Sequence, residues 1–136
     1  MSDVGNWEPN SHFNLEESTV DRLLHAAREH QLAPADEHLH LSEDEIRTLA
    51  PVMTLDAAIW RRTAEALKSE QLVELIKLFT LGEARLPGWE AGDKSPVITL
   101  VTVLKHRGQY PPDLTAWIKG HSENRFLPYG NLMHRL

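Results

Sequence analysis

The 136-residue chain is 41% apolar and 25% charged and contains no cysteine, which excludes disulfides, thiolate metal sites and cysteine nucleophiles. Its net charge of -6 is unevenly spread, with 11 acids against 3 bases in residues 1–50 and 3 acids against 6 bases in residues 91–136. The length is that of one domain, and the opening residues are polar and acidic rather than a charged-then-apolar leader, so a soluble cytoplasmic protein is expected.

Residues 1–13 (MSDVGNWEPNSHF) read as a polar arm that is ordered only where Trp7 or Phe13 docks, and residues 14–136 as a single helical domain. From about Leu15 to Gln31, Val20, Leu23, Leu24 and Ala27 recur at helical spacing, and Pro34 lies beyond the expected stop. Ser42 followed by Glu45 is a capping box, flanked by Leu41 and Ile46 as a hydrophobic staple, and it predicts a short helix ending at Pro51. Thr54 is placed to cap a third helix with Leu55, Ile59, Thr63 and Ala66 or Leu67 on its face, and Ser69 to cap a fourth. In that fourth helix Leu72, Leu75, Ile76 and Phe79 form one face, widened by Val73, Leu78 and Leu81. So broad an apolar arc predicts the most buried element.

The stretch Leu86 to Lys94 gathers Pro87, Gly88 and Gly92 around Trp89 and reads as an irregular loop. Val97 to Leu104 is β-branched enough for a strand. Ser95 and Pro96 at its start and Gly108 at its exit favour a helix. The run is far shorter than the roughly 20 apolar residues that cross a bilayer, so no membrane partner is expected. Pro112 can open a last short helix through Leu114, Trp117 and Ile118, followed by an irregular C-terminal segment. About six helices and no firm strand predict an all-α domain, either a bundle or an orthogonal array.

Four groups of residues could carry function. His38 and His40, within the acidic run DEHLHLSE, are of the type that binds zinc, nickel or copper. An i, i+2 pair converges only on an extended backbone and needs further ligands, and no His-Glu-x-x-His motif is present. Asp21, His25 and Glu29 share one helix face, which reads as a solvated charge row. Gly88 and Gly92, with Asp93, Lys94 and Ser95 ahead of a helix start, could hold an anion.

The C-terminal stretch from Trp117 to Leu136 interleaves Trp117, Phe126 and Tyr129 with Lys119, Arg125 and Arg135. That mixture suits either a partner surface or single-stranded nucleic acid, with rings stacking on bases and cations on phosphates. No catalytic template, phosphate-binding loop or dinucleotide turn is found. The leading expectation is a non-catalytic helical adaptor that binds a protein partner through Trp89, Arg125, Phe126 and Tyr129. The alternatives are nucleic-acid association through the basic C-terminal third, and a metal-dependent enzyme using His38 and His40. No cofactor is expected, and a homodimer is left open.

Overall fold

The structure is a computed structural model that describes residues 15–130. The first stripe of apolar residues forms α1 (Glu17–Leu32), which buries Val20, Leu23, Leu24, Ala26 and Ala27. A turn-rich connection leads to α2 (Glu43–Leu49). There the capping box forms in both directions: the Glu45 amide donates to Ser42 Oγ at 3.1 Å and the Ser42 amide to Glu45 Oε1 at 3.0 Å. Two donors that the first turn would leave unpaired are thereby satisfied.

The α-helix stops ahead of Pro51 as expected, but Ala50 keeps the right-handed helical geometry that a residue before proline usually avoids, and the chain does not become irregular. It continues as a 3-10 turn over Ala50–Thr54, with the proline at the turn's start where a missing N–H costs nothing. Thr54 therefore ends this turn instead of capping the next helix. That helix, α3 (Ala57–Glu65), follows the extended residue Asp56 and buries Ile59, Trp60 and Ala64. Leu55 precedes the helix. In α4 (Ser69–Arg85) the cap position is Lys68, with its amide donating to Gln71 Oε1 at 2.8 Å, so Ser69 is the first helical residue and not the cap.

The β-branched run is a helix: α5 (Pro96–His106) starts with Ser95 Oγ accepting from the Val97 amide at 3.2 Å. Its end is a Schellman motif, in which the Gly108 amide donates to Lys105 O and the Gln109 amide to Leu104 O, both at 3.0 Å. Gly108 stands at φ 70°, a left-handed conformation that costs glycine nothing. The last helix, α6 (Leu114–His121), begins two residues after Pro112, because Pro111 to Leu114 first close a turn. An irregular segment over residues 122–130 then returns along the molecule and buries Leu127.

Among the described residues the chain forms six α-helices and no strand, an all-α fold. The fourth helix is its centre, packing against α1, α5 and α6, while α3 packs on α5. Leu72, Leu75, Ile76 and Phe79 are inaccessible to solvent, and each such side chain contributes about 1.5–3 kcal/mol of burial. Trp60 meets Phe79 edge-on at 5.3 Å and donates its indole N–H to Val52 O at 2.8 Å, locking the 3-10 turn onto the core. One apolar cluster runs from Val20 to Leu127 and joins all six helices. No helix among the described residues is long and apolar enough to cross a membrane. The polar arm over residues 1–13 lies outside the described residues.

Candidate partner-binding surface

On α6, Leu114 and Ile118 face the core, so the residues on either flank of the helix are fixed by its period. Trp117 and His121 fall on one flank, four residues apart. Their rings stack at 4.2 Å between centroids, and Lys77 of α4 sits 5.3 Å from the Trp117 ring. Thr115 and Lys119 fall on the other flank. The Thr115 hydroxyl bonds with Tyr110 Oη at 2.6 Å and with Tyr129 Oη at 3.0 Å, which ties the returning segment to α6. Lys105 of α5 places its ammonium 5.0 Å from the Tyr110 ring and 4.2 Å from the Tyr129 ring. Beyond them Arg125 lies 5.3 Å from the Phe126 ring. The helix crest between the flanks carries only the small residues Ala116 and Gly120, both exposed.

A cation over a ring is attracted by the negative face of the π system without its charge being neutralised. Lys77, Lys105, Lys119 and Arg125 make no ion pair among the described residues. Two of them, Lys105 and Lys119, also act on Tyr129. Its hydroxyl is held below the ordinary tyrosine range, first by the bond to Thr115 and then by Lys105 and Lys119, whereas burial pushes Tyr110 up.

A second polar cluster underlies the returning segment. Glu83 occupies the buried side of α4, only 9% exposed. Asn124 Nδ2 donates to Glu83 Oε1 at 2.9 Å and to Gly92 O at 2.9 Å. The Ser95 hydroxyl donates to Glu83 Oε2, and the Ala91 amide makes a long 3.4 Å contact with Oε1. Burial pushes the Glu83 carboxyl above the usual carboxylate range and the nearby Glu90 adds to this, while its three donors oppose the shift. Above it opens a cleft of about 590 Å³ lined by Glu83, Ala84, Glu90, Gly92, Ser122, Glu123, Asn124 and Arg125.

The residues expected to act as one surface are thus divided. Arg125 is exposed, and Phe126 and Tyr129 are half-buried beside α6. Trp89 is elsewhere: it is 0% exposed, and its indole N–H donates to Ile46 O at 2.8 Å. It is a core residue, removed from contact with any partner, because α4 offers Gly82 as a seat. A Cβ at that glycine would stand 2.5 Å from Trp89 Cε3. The sequence signal was Gly82 itself, a residue that an interior helical turn otherwise disfavours.

No family model, curated protein or solved structure matches the chain.

The other candidate groups separate as well. Leu39 and His40 have φ values of 54° and 63°, so the backbone around the histidine pair is left-handed and not extended. Both ring nitrogens of His40 already face partners, Nε2 at 3.0 Å from Ala33 O and Nδ1 at 3.4 Å from Asp36, while His38 is exposed. No group of three or more potential metal ligands occurs among the described residues. His25 pairs with Glu29 at 3.5 Å on the exposed face of α1, and Asp21 is exposed on the same helix. At the start of α5 the Ser95 hydroxyl is taken by the carboxyl group of Glu83, which occupies the place an external anion would need.

Lys77, Lys105, Glu83 and Asn124 escaped the sequence reading. Glu83 had a signal, since it continues the stripe Leu72, Ile76, Phe79 at helical spacing with a charge. The two lysines meet their rings only through tertiary packing.

Proposed function

We propose that the chain is a non-catalytic helical adaptor that binds an acidic segment of a partner protein across α6 and the returning residues 122–130. One observation carries this reading: Lys77, Lys105 and Arg125 each stand over an aromatic ring rather than on a carboxylate. A surface of this kind combines the aromatic and arginine anchors that dominate interface energetics with a field that steers an oppositely charged partner. The small crest of Ala116 and Gly120 leaves room for a backbone to lie close to the helix.

Nucleic acid is the second reading, favoured by the same mixture of rings and cations. It is the weaker one, because the rings that would stack on bases are already engaged, Trp117 by Lys77 and His121, and Tyr129 by Lys105. Fluorescence anisotropy with a labelled oligoglutamate peptide and a labelled single-stranded oligonucleotide separates the two. The adaptor reading expects the peptide to bind, with affinity falling as salt screens the charges. Tighter binding of the oligonucleotide, with a steep linear dependence of log affinity on log salt, would transfer the surface to nucleic acid.

A further inference from the structure

The end of α1 and the loop after it present an apolar run to water. Leu32, Ala33, Pro34 and Ala35 are all exposed, and Leu32, at 86%, is the one large apolar side chain so exposed among the described residues. A single exposed leucine is ordinary, but four apolar residues in succession at a surface mark a contact site. The run ends in two acids. Asp36 is spent within the loop, accepting from the His38 amide at 2.9 Å and standing 3.4 Å from His40 Nδ1. Glu37 is exposed and makes no ion pair among the described residues. Behind this edge Leu39 and Leu41 are buried in the core and His40 Nε2 lies 3.0 Å from Ala33 O, so the projection is already formed before it meets anything.

The face of α6 has the converse shape and charge. Its crest, Ala116 and Gly120, is low and exposed, and the cations on its flanks make no ion pair among the described residues. A leucine knob beside a free carboxylate is complementary to a low apolar crest between cations. Exposed in its own chain, the projection leaves that chain's face uncovered, so the match is one between copies.

We propose that the acidic partner of the adaptor reading, on which this inference rests, is a second copy of this chain, whose projection of residues 32–37 docks on the α6 face. Leu32 seats on Ala116 and Gly120, and Glu37 meets the flanking cations. The two patches differ, so the contact is head-to-tail. Each docked pair still offers one free projection and one free face, and association continues into rings or open chains.

The test is sedimentation equilibrium of the full chain over a concentration series at about 0.1 M salt. That ionic strength screens the mutual repulsion of two chains of charge -6 beyond about 10 Å and leaves contact pairs in force. The average mass is expected to rise with concentration past that of a dimer. The double variant Leu32→Ser, Glu37→Gln removes the knob and its acid at exposed positions, and is expected to weaken association at least about tenfold. The face variant Lys77→Glu, Lys105→Glu, Arg125→Glu is expected to do the same. Mixed together, the two variants keep one intact junction per pair and are expected to form 1:1 dimers that grow no further. A monomeric wild type, a variant that associates as the wild type does, or a mixture that stays monomeric would each overturn the proposal. If the face variant does not fold, Arg125→Glu alone, at an exposed position, takes its place in both experiments. Oligoglutamate binding is read separately. A wild type that binds the peptide but never self-associates refutes the second copy and leaves the adaptor reading standing, whereas self-association that survives the face variant, with no peptide bound, refutes both.

Discussion

Replacing Gly82 by alanine sets two physical effects against each other. On helix propensity alone, alanine inside α4 should stabilise the protein by about 0.5–1 kcal/mol. The structure predicts the opposite sign. The new methyl would lie 2.5 Å from Trp89 Cε3 and 2.9 Å from Cζ3, well inside van der Waals contact. Trp89 is in no position to retreat, because its indole N–H is held by Ile46 O and its ring packs 6.3 Å from that of Phe79. Overpacking costs about 1–3 kcal/mol, and loss of the buried bond to Ile46 O costs about 1–3 kcal/mol more where the carbonyl is left unpaired. The net expectation is a loss of about 3 kcal/mol, or roughly 10 °C in Tm for a domain of this size. Thermal unfolding followed by circular dichroism measures it, and Trp89→Leu in the same background should recover at least about 1 kcal/mol of that loss through coupling. A Gly82→Ala protein as stable as the wild type, or more so, would refute this packing of Trp89 on α4.

Two further perturbations probe other joints. Arg107 of the α5 end donates to Leu67 O, Ala64 O and Ser69 Oγ at 3.0–3.1 Å, tying the end of α3 and the start of α4 to α5. Arg107→Ala should cost about 2 kcal/mol in urea unfolding with the slope unchanged, and Arg107→Lys should restore little of it, since an ammonium lacks the planar fork. Arg22 clasps Glu45 through two bonds, at 2.6 and 2.9 Å, and holds its carboxyl down from 4.5 to about 2. A depressed carboxylate contributes stability above its unfolded value and loses it as pH falls. A component of acid destabilisation between about pH 4.5 and about pH 2 should therefore shrink in Arg22→Met, leaving the part that the Ser42 hydrogen bonds sustain.

Features written in adjacent residues were legible in the sequence. Ser42 with Glu45, Ser95 with Pro96, and Gly108 mark helix ends through local hydrogen bonds, and all three act as their positions suggest. The broad apolar arc of α4 likewise announced its central place. Thr54 and Ser69 misled because a capping residue type is only competent at the right backbone position, and the 3-10 turn after Pro51 moved the start of α3 by two residues. The histidine pair could not be judged without knowing that Leu39 and His40 adopt left-handed geometry.

Trp89 shows the limit most clearly. Its neighbours are proline and glycine, as in an exposed loop, yet the loop folds inward because Gly82 clears a space seven residues away and Ile46 supplies an acceptor from another helix. The proposed docking face has the same character in reverse. Arg125 and Phe126 are adjacent in sequence, but Lys77 and Trp117 or Lys105 and Tyr129 are brought together only by the packing of α4, α5 and α6.

The most direct test of the adaptor reading is binding of labelled oligoglutamate to the wild type and to the triple variant Lys77→Glu, Lys105→Glu, Arg125→Glu at low salt. The account predicts that the wild type binds the peptide and that the folded triple variant loses it and takes up oligolysine instead. Equal peptide binding by both proteins, or none by the wild type, would contradict it.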